Sequence, residues 1–216
     1  MRSMLLEKAK ELLKNADFRW AFCGGYAIDL FLDRETRKHG DIDICVLEND
    51  RNKIADFMLS CGWNVYQFLG QGKVRRLHAG GSSEPGRNLM CVKDGCSLVK
   101  FYPCGENDVF WHEFFHTGME KLDYLEFLFG NMRNDEYIFN QKLNITREMQ
   151  KAVLYNGDLP YIAPEVALMY KASNADNPEY QRDYEAAVPW LGKEQMLWLH
   201  EGLKKLYPQG HCWLQE

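Results

Sequence analysis

Residues 20–47 read WAFCGGYAIDLFLDRETRKHGDIDICVL. Trp20 to Cys23 is a short apolar run stopped by Gly24-Gly25, the pattern of a buried strand entering a tight turn. Tyr26 to Leu32 follows as a short helix. Beyond it, Ile42, Ile44 and Val46 alternate with Asp41, Asp43 and Cys45, so a second strand sends aliphatic side chains to one face and carboxylates to the other. Carboxylates at i and i+2 lie close together, and their repulsion raises at least one pKa and costs stability unless positive charge intervenes. Mg2+, which is usually held by one or two carboxylates together with substrate phosphates, fits that place.

The preceding residues suit the phosphates. Gly24-Gly25 lets the backbone approach a ligand closely, and the helix that follows offers free N–H groups and a positive dipole end. Arg34, Arg37 and Lys38 lie in the connection back to the acidic strand.

Working outward, residues 3–15 carry Met4, Leu5, Ala9, Leu12 and Leu13 at helical spacing, and RNKIADFMLSCGW spaces Ile54, Phe57, Met58 and Cys61 for a helix ending at Gly62. Strand, helix, strand, helix is the rhythm of an α/β or α+β fold with a mixed sheet flanked by helices. From 63 to 118 short strands alternate with Gly-rich turns, and AGGSSEPGR at 79–87 reads as a mobile loop. KLDYLEFLFG at 121–130 reads as a further sheet strand followed by the turn NMRND. Pro164 stands where a helix begins, and residues 178–206 read as two helices broken near Pro189, so the last third is helical.

The chain has 216 residues and a formal charge of −5, with 46% hydrophobic and 13% aromatic residues. These are globular values, and the acidic balance argues against general nucleic-acid binding, which needs a basic face. No run approaches the roughly 18–20 apolar residues that span a bilayer, and MRSMLLEKAKELLKNADF reads as a charged helix rather than a signal peptide. A cytoplasmic protein without a membrane partner is expected. Seven cysteines with no CxxC pair suit reduced thiols.

Gly-Gly, fifteen residues, then Asp-x-Asp, bridged by Arg-x-Thr-Arg-x-His, resembles the opening of the polymerase-beta-like nucleotidyltransferase superfamily, and within it the aminoglycoside and lincosamide nucleotidyltransferase branch. Gly24, Gly25, Asp29, Arg34, Thr36, Arg37, His39, Asp41 and Asp43 occupy the places of that pattern. The detailed likeness covers residues 20–47, with a looser one at PYIAPEVALMYKA and RDYEAAVPWL.

The resemblance implies a nucleotidyltransferase domain over 1–157 and a helical C-terminal domain over 158–216 that helps close the active-site cleft. It implies Mg-dependent transfer of a nucleoside monophosphate, AMP from ATP, to a hydroxyl of a small molecule such as an aminoglycoside or lincosamide. Two Mg2+ ions bridged by Asp41 and Asp43 serve the reaction, with a third carboxylate from a later strand completing the set and acting as base. Asp123 is the first choice for that carboxylate. Glu126 is an alternative that parity sends to the opposite side, and Asp94, in a KDG that reads as a hairpin turn, is another. Gly24, Gly25, Arg34, Arg37 and Lys171 are the expected nucleotide contacts, although Lys171, like Glu165, Arg182 and Asp183, reads equally well as part of a helix-to-helix ion pair.

Other readings are a nucleotidyltransferase that modifies a protein side chain, as antitoxin-related members do, and a nucleotide-binding protein without turnover. HEFFH at 112–116 is a literal HExxH, which on a helix would place His112 and His116 on zinc with Glu113 as base. GQGKVRR lacks the P-loop pattern, and Lys73, Arg75 and Arg76 read as a solvated strand face. The aromatic residues between 63 and 115 read mostly as core.

Overall fold

A computed structural model describes residues 3–115 and 118–214. The helices in chain order are α1 (Met4–Leu13), α2 (Gly24–Leu32), α3 (Arg51–Ser60), α4 (Met149–Ala152), α5 (Pro164–Lys171), α6 (Pro178–Ala187) and α7 (Lys193–Leu206). The strands begin with β1 (Trp20–Phe22), β2 (Asp43–Leu47), β3 (Asn64–Gly70), β4 (Lys73–Leu77), β5 (Leu89–Val92) and β6 (Val99–Pro103). They continue with β7 (Val109–Phe114), β8 (Tyr124–Arg133), β9 (Glu136–Asn140), β10 (Ile145–Glu148), β11 (Val153–Asn156) and β12 (Leu159–Ile162). The chain is thus of the mixed α/β class that the sequence suggests.

Two compact units divide these elements: Met1–Trp20 with Lys38–Gly130, and Ala21–Arg37 with Asn131–Glu216. The boundary expected near residue 157 is therefore corrected, and the reason lies in α2. Tyr26, Ala27, Ile28, Asp29 and Leu30 are all buried, so this helix needs cover on most of its surface, and α5, α6 and β12 supply it. The Gly-Gly helix thereby joins the C-terminal helices rather than the acidic strand.

In the first unit the strands run β2-β8-β5-β3-β4-β7-β6, with β2 and β8 parallel and the other pairs antiparallel. Ile44, Val65, Leu89, Cys91, Leu125 and Phe127 share one face by register and are fully buried, and α3, with Ile54 and Met58, packs beside β3. Helix α1 is capped by Ser3, whose side chain accepts from the Leu5 N–H, and buries Leu6, Ala9 and Leu13.

The 79–87 loop, read from its sequence as mobile, is tied down. Gly80 N–H donates to Asp56 Oδ1 at 3.2 Å, Ser83 N–H to Asn52 Oδ1 at 3.4 Å and Glu84 N–H to Gln67 Oε1 at 2.6 Å. Arg51 donates to the Arg87 carbonyl. Side chains of α3 and β3 thus supply the partners that the loop backbone lacks.

In the second unit β11 pairs with β12 and Phe22 of β1 lies parallel beside Tyr161 of β12. Residues 131–133 of β8 pair with β9, and β9 with β10. NMRND is only in part a turn: Asn131–Arg133 continue the strand, and Asn134 and Asp135, both at positive φ, form the two-residue hairpin connection. Pro164 and Pro178 open α5 and α6, as the sequence suggests, and Asn177 caps the latter by accepting from Glu179 N–H at 2.9 Å. All seven cysteines are free thiols, and among the described residues no helix is long and apolar enough to cross a membrane.

A buried ion pair fixes α5. Glu165, fully buried, accepts from Arg147 Nε at 3.1 Å, Arg147 Nη2 at 2.7 Å and Gln195 Nε2 at 2.8 Å. Removing Glu165 leaves Arg147 only the exposed Glu194, at 3.0 Å, so the cost falls toward the lower end of the range of about 3–5 kcal/mol typical of a broken buried pair. Glu165→Leu should therefore lower unfolding stability by about 3 kcal/mol in urea titrations, and Glu165→Gln by less, since its carbonyl oxygen still accepts from Arg147.

Candidate active site

The parallel pairing of β2 with β8 sets Asp43 beside Glu126. Glu126 N–H donates to the Ile42 carbonyl at 3.0 Å, which fixes the register, and paired residues send their side chains to the same face. Glu126 Oε1 accepts from Asn88 Nδ2 and its Oε2 from the Tyr124 hydroxyl, each at 3.2 Å. Burial, reinforced by the Asp41 carboxylate, pushes Glu126 up to about 7. The Tyr124 hydroxyl is driven well above its ordinary value by burial, then by Glu126, Asp41 and Asp43. Three carboxylates therefore act on one small region of the β2–β8 face.

Asp123 is not part of this group. It precedes β8, and its Oδ2 lies 3.2 Å from Lys121 Nζ. The two acidic residues do fall on opposite sides, but Glu126 is the one beside Asp43. Leu125 and Phe127 are fully buried on the other face, and strand alternation then sends Tyr124 and Glu126 toward the aspartates. The apolar alternation in LDYLEFLF carried that signal. Asp94 sits in the turn after β5, where it accepts from Asn64 Nδ2 at 2.8 Å; β5 and β6 are not paired, so this turn is not the hairpin that KDG suggests.

Within the second unit, Gly24 opens α2 at φ +62, a backbone conformation that L side chains resist, with Gly25 following. Asp29 Oδ1 accepts from Thr36 N–H at 2.9 Å and from the Thr36 hydroxyl at 2.6 Å, closing the loop after the helix. Arg34 is exposed. Arg37 and Lys171, both expected at phosphate, meet on buried Asp183. Arg37 Nε lies 3.1 Å from Asp183 Oδ1, and Lys171 Nζ lies 3.0 Å from Oδ2 and 4.4 Å over the Tyr180 ring. Arg37 Nη1 also reaches Glu179 at 3.1 Å. Asp183 is thus the shared counter-charge of two helices and a loop.

His112 and Glu113 lie on strand β7, where neighbours point to opposite faces, so the helix that the zinc motif needs is absent there, and His116 lies outside the described residues. Lys73 and Arg75 pair with Glu106 at 3.7 Å and Glu84 at 3.0 Å, and Arg76 donates to Asn64 at 2.6 Å, as on a solvated strand face. Among the described residues no three His, Cys, Asp or Glu side chains already form a metal cage. Asp41, Asp43 and Glu126 offer the carboxylate oxygens that suit a hard cation, and burial chiefly, then the Asp41 carboxylate, raises Glu126 to about 7.

Residues 5–81 match the family model described as aminoglycoside-2''-adenylyltransferase. No curated protein sequence matches the chain. The solution structure of the antibiotic-resistance factor ANT(2'')-Ia is similar at a TM-score of 0.54 and 16% identity, covering 95% of this chain and 92% of that one. The crystal structure of ANT(2'')-Ia in complex with adenylyl-2''-tobramycin gives a TM-score of 0.52 at 13% identity, covering 94% of this chain and 99% of that one. The chain resembles the aminoglycoside adenylyltransferase model over residues 5–81 and shares the fold of ANT(2'')-Ia along nearly its whole length.

Glu126 carries a stability signature. Its folded pKa of about 7 lies above the ordinary 4.5, so its contribution is complete below about pH 4.5 and is lost as pH rises through 7. Glu126→Gln cannot ionise. In chelator it should match wild type near pH 4.5 and exceed it by up to about 3 kcal/mol at pH 8. Thermal melts at the two pH values measure the difference; an equal offset at both would contradict the buried-carboxylate account.

Proposed function

We propose that this chain is a nucleotidyltransferase that moves a nucleoside monophosphate, AMP from ATP, onto a hydroxyl of a small-molecule acceptor. The observation that carries the reading is the in-register pairing of Asp43 with Glu126 next to Asp41, in a chain whose residues 5–81 match an adenylyltransferase model. Asp41, Asp43 and Glu126 would hold the divalent metal, Mg2+ as two ions in the arrangement that the resemblance implies. When bound, the metal supplies positive charge to the α-phosphate and the departing pyrophosphate.

Glu126 has the properties of the base. Its buried carboxylate, beside Asp43, would take the proton from the acceptor hydroxyl. The acceptor oxygen forms a bond to the α-phosphorus, the bond from that phosphorus to the pyrophosphate oxygen breaks, and the hydroxyl proton passes to Glu126. Tyr124 and Asn88 hold the carboxylate by one hydrogen bond to each oxygen, so it keeps one orientation during the transfer. Phosphate contacts stay with Gly24, Gly25 and Arg34. Arg37 and Lys171 act through Asp183 as positioning residues for that loop and α5. The antibiotic acceptors of the resembling enzymes give the starting panel.

Asp41→Asn, Asp43→Asn and Glu126→Gln should each lower nucleotide-dependent pyrophosphate release by roughly a thousandfold while melting at or above the wild-type temperature, because each relieves carboxylate repulsion. Asp123→Asn should keep turnover within about threefold. Full activity in the Asp43 variant, or loss in the Asp123 variant alone, would sink the assignment.

A further inference from the structure

Helix α7 ends at Leu206, and the chain reverses through Gly210, whose φ of +108 is one that L side chains resist. The reversal brings His211 and the short turn Cys212–Leu214 back against α5 and α6. His211 Nε2 lies 2.9 Å from the carbonyl oxygen of Ala172, the residue that caps α5, and the Trp213 N–H donates to His211 Nδ1 at 3.1 Å. A carbonyl only accepts and a backbone N–H only donates, so the imidazole fills this place as the neutral tautomer with its proton on Nε2. The Tyr207 ring packs against it with centroids 4.6 Å apart.

Trp213 carries the contact to α6. It is 2% exposed, its indole N–H donates to Gln181 Oε1 at 2.8 Å, and its carbonyl accepts from the Tyr184 hydroxyl at 3.0 Å. Its ring stacks on Tyr184 with centroids 4.3 Å apart. Gln181 and Tyr184 bracket Asp183 in sequence, and Ala172 directly follows Lys171. The two anchors of this segment thus flank the 3.0 Å ion pair of Lys171 with Asp183.

That pair is tied to the phosphate loop. The other oxygen of Asp183 lies 3.1 Å from Arg37 Nε, and Arg37 stands three residues past Arg34 in the same loop. A shift of α6 against α5 would stretch one of the two bonds on Asp183, and the loop would move with Arg37. The hydrogen bonds of His211 and Trp213 oppose that shift, because they fasten the end of α5 and the middle of α6 to one short segment.

We infer that His211 and Trp213 are positioning residues for nucleotide binding: they clasp α5 to α6, keep Asp183 between Lys171 and Arg37, and through Arg37 set the loop that offers Arg34 to phosphate. The inference rests on the nucleotidyltransferase reading and adds to it a device outside the acidic group. Since the clasp touches none of the reacting atoms, its loss falls on nucleotide affinity and KM rather than on kcat.

Calorimetry with ATP and Mg2+ on the full chain reads affinity, and pyrophosphate release reads the kinetic split. His211→Ala should weaken ATP binding by about fivefold and raise its KM in step, with kcat within about twofold of wild type. His211→Gln, whose amide still donates to the Ala172 carbonyl, should recover most of the affinity. Tyr184→Phe keeps the ring stack and removes only the bond to the Trp213 carbonyl, so it should show the same loss at smaller size with the least disturbance of packing. In a Lys171→Met background His211→Ala should add less than about twofold, because both act through Asp183. Amide hydrogen exchange without nucleotide reads the clasp itself: His211→Ala should speed exchange in α6 and residues 33–37 while the strands of the first unit keep wild-type rates. Full additivity with Lys171→Met, or exchange that rises equally in both units, overturns the inference. ATP bound equally by wild type, His211→Ala and Tyr184→Phe overturns the inference alone, whereas a wild-type chain that binds no ATP overturns the nucleotidyltransferase reading and the inference with it.

Discussion

Two acidic side chains are forced together by a backbone ladder. The parallel register of β2 and β8 leaves Asp43 and Glu126 side by side, and Asp41 adds to the same region. Hydrophobic burial on the opposite face enforces this register, since a slip of one residue would expose Ile44, Leu125 and Phe127 and bury the acids in the core. The apolar core thus holds these carboxylates together, and burial, reinforced by Asp41, raises Glu126 to about 7.

The second unit shows the complementary arrangement, in which opposite charges are buried and satisfied. Asp183 is shared between Arg37 and Lys171, and Glu165 between Arg147 and Gln195. These groups are pinned from several directions and suit holding geometry more than binding a ligand.

Much of the active-site strand could be read directly from the sequence, because it depends on local rules. Alternation gave the face of Asp43, where β2 begins, while Asp41 lies just before the strand; Gly24 occupies a positive-φ position that glycine tolerates. What escaped depends on contacts distant in sequence. Parity set Asp123 and Glu126 on opposite sides, but which of the two meets Asp43 depends on the pairing of β8 with β2, which the spacing of β8 does not state. The loop at 79–87 looked free because its tethers, Asn52, Asp56 and Gln67, lie elsewhere in the chain.

The bond between Arg37 and Asp183 joins positions 146 residues apart. A fragment cut at the apparent midpoint between sheet and helices would leave α2 with its apolar sides bare and Arg37 without its counter-ion. Ribosomal synthesis must deliver nearly the entire polypeptide before the Gly-Gly helix can settle, so the segment most diagnostic in sequence is among the last to acquire its surroundings.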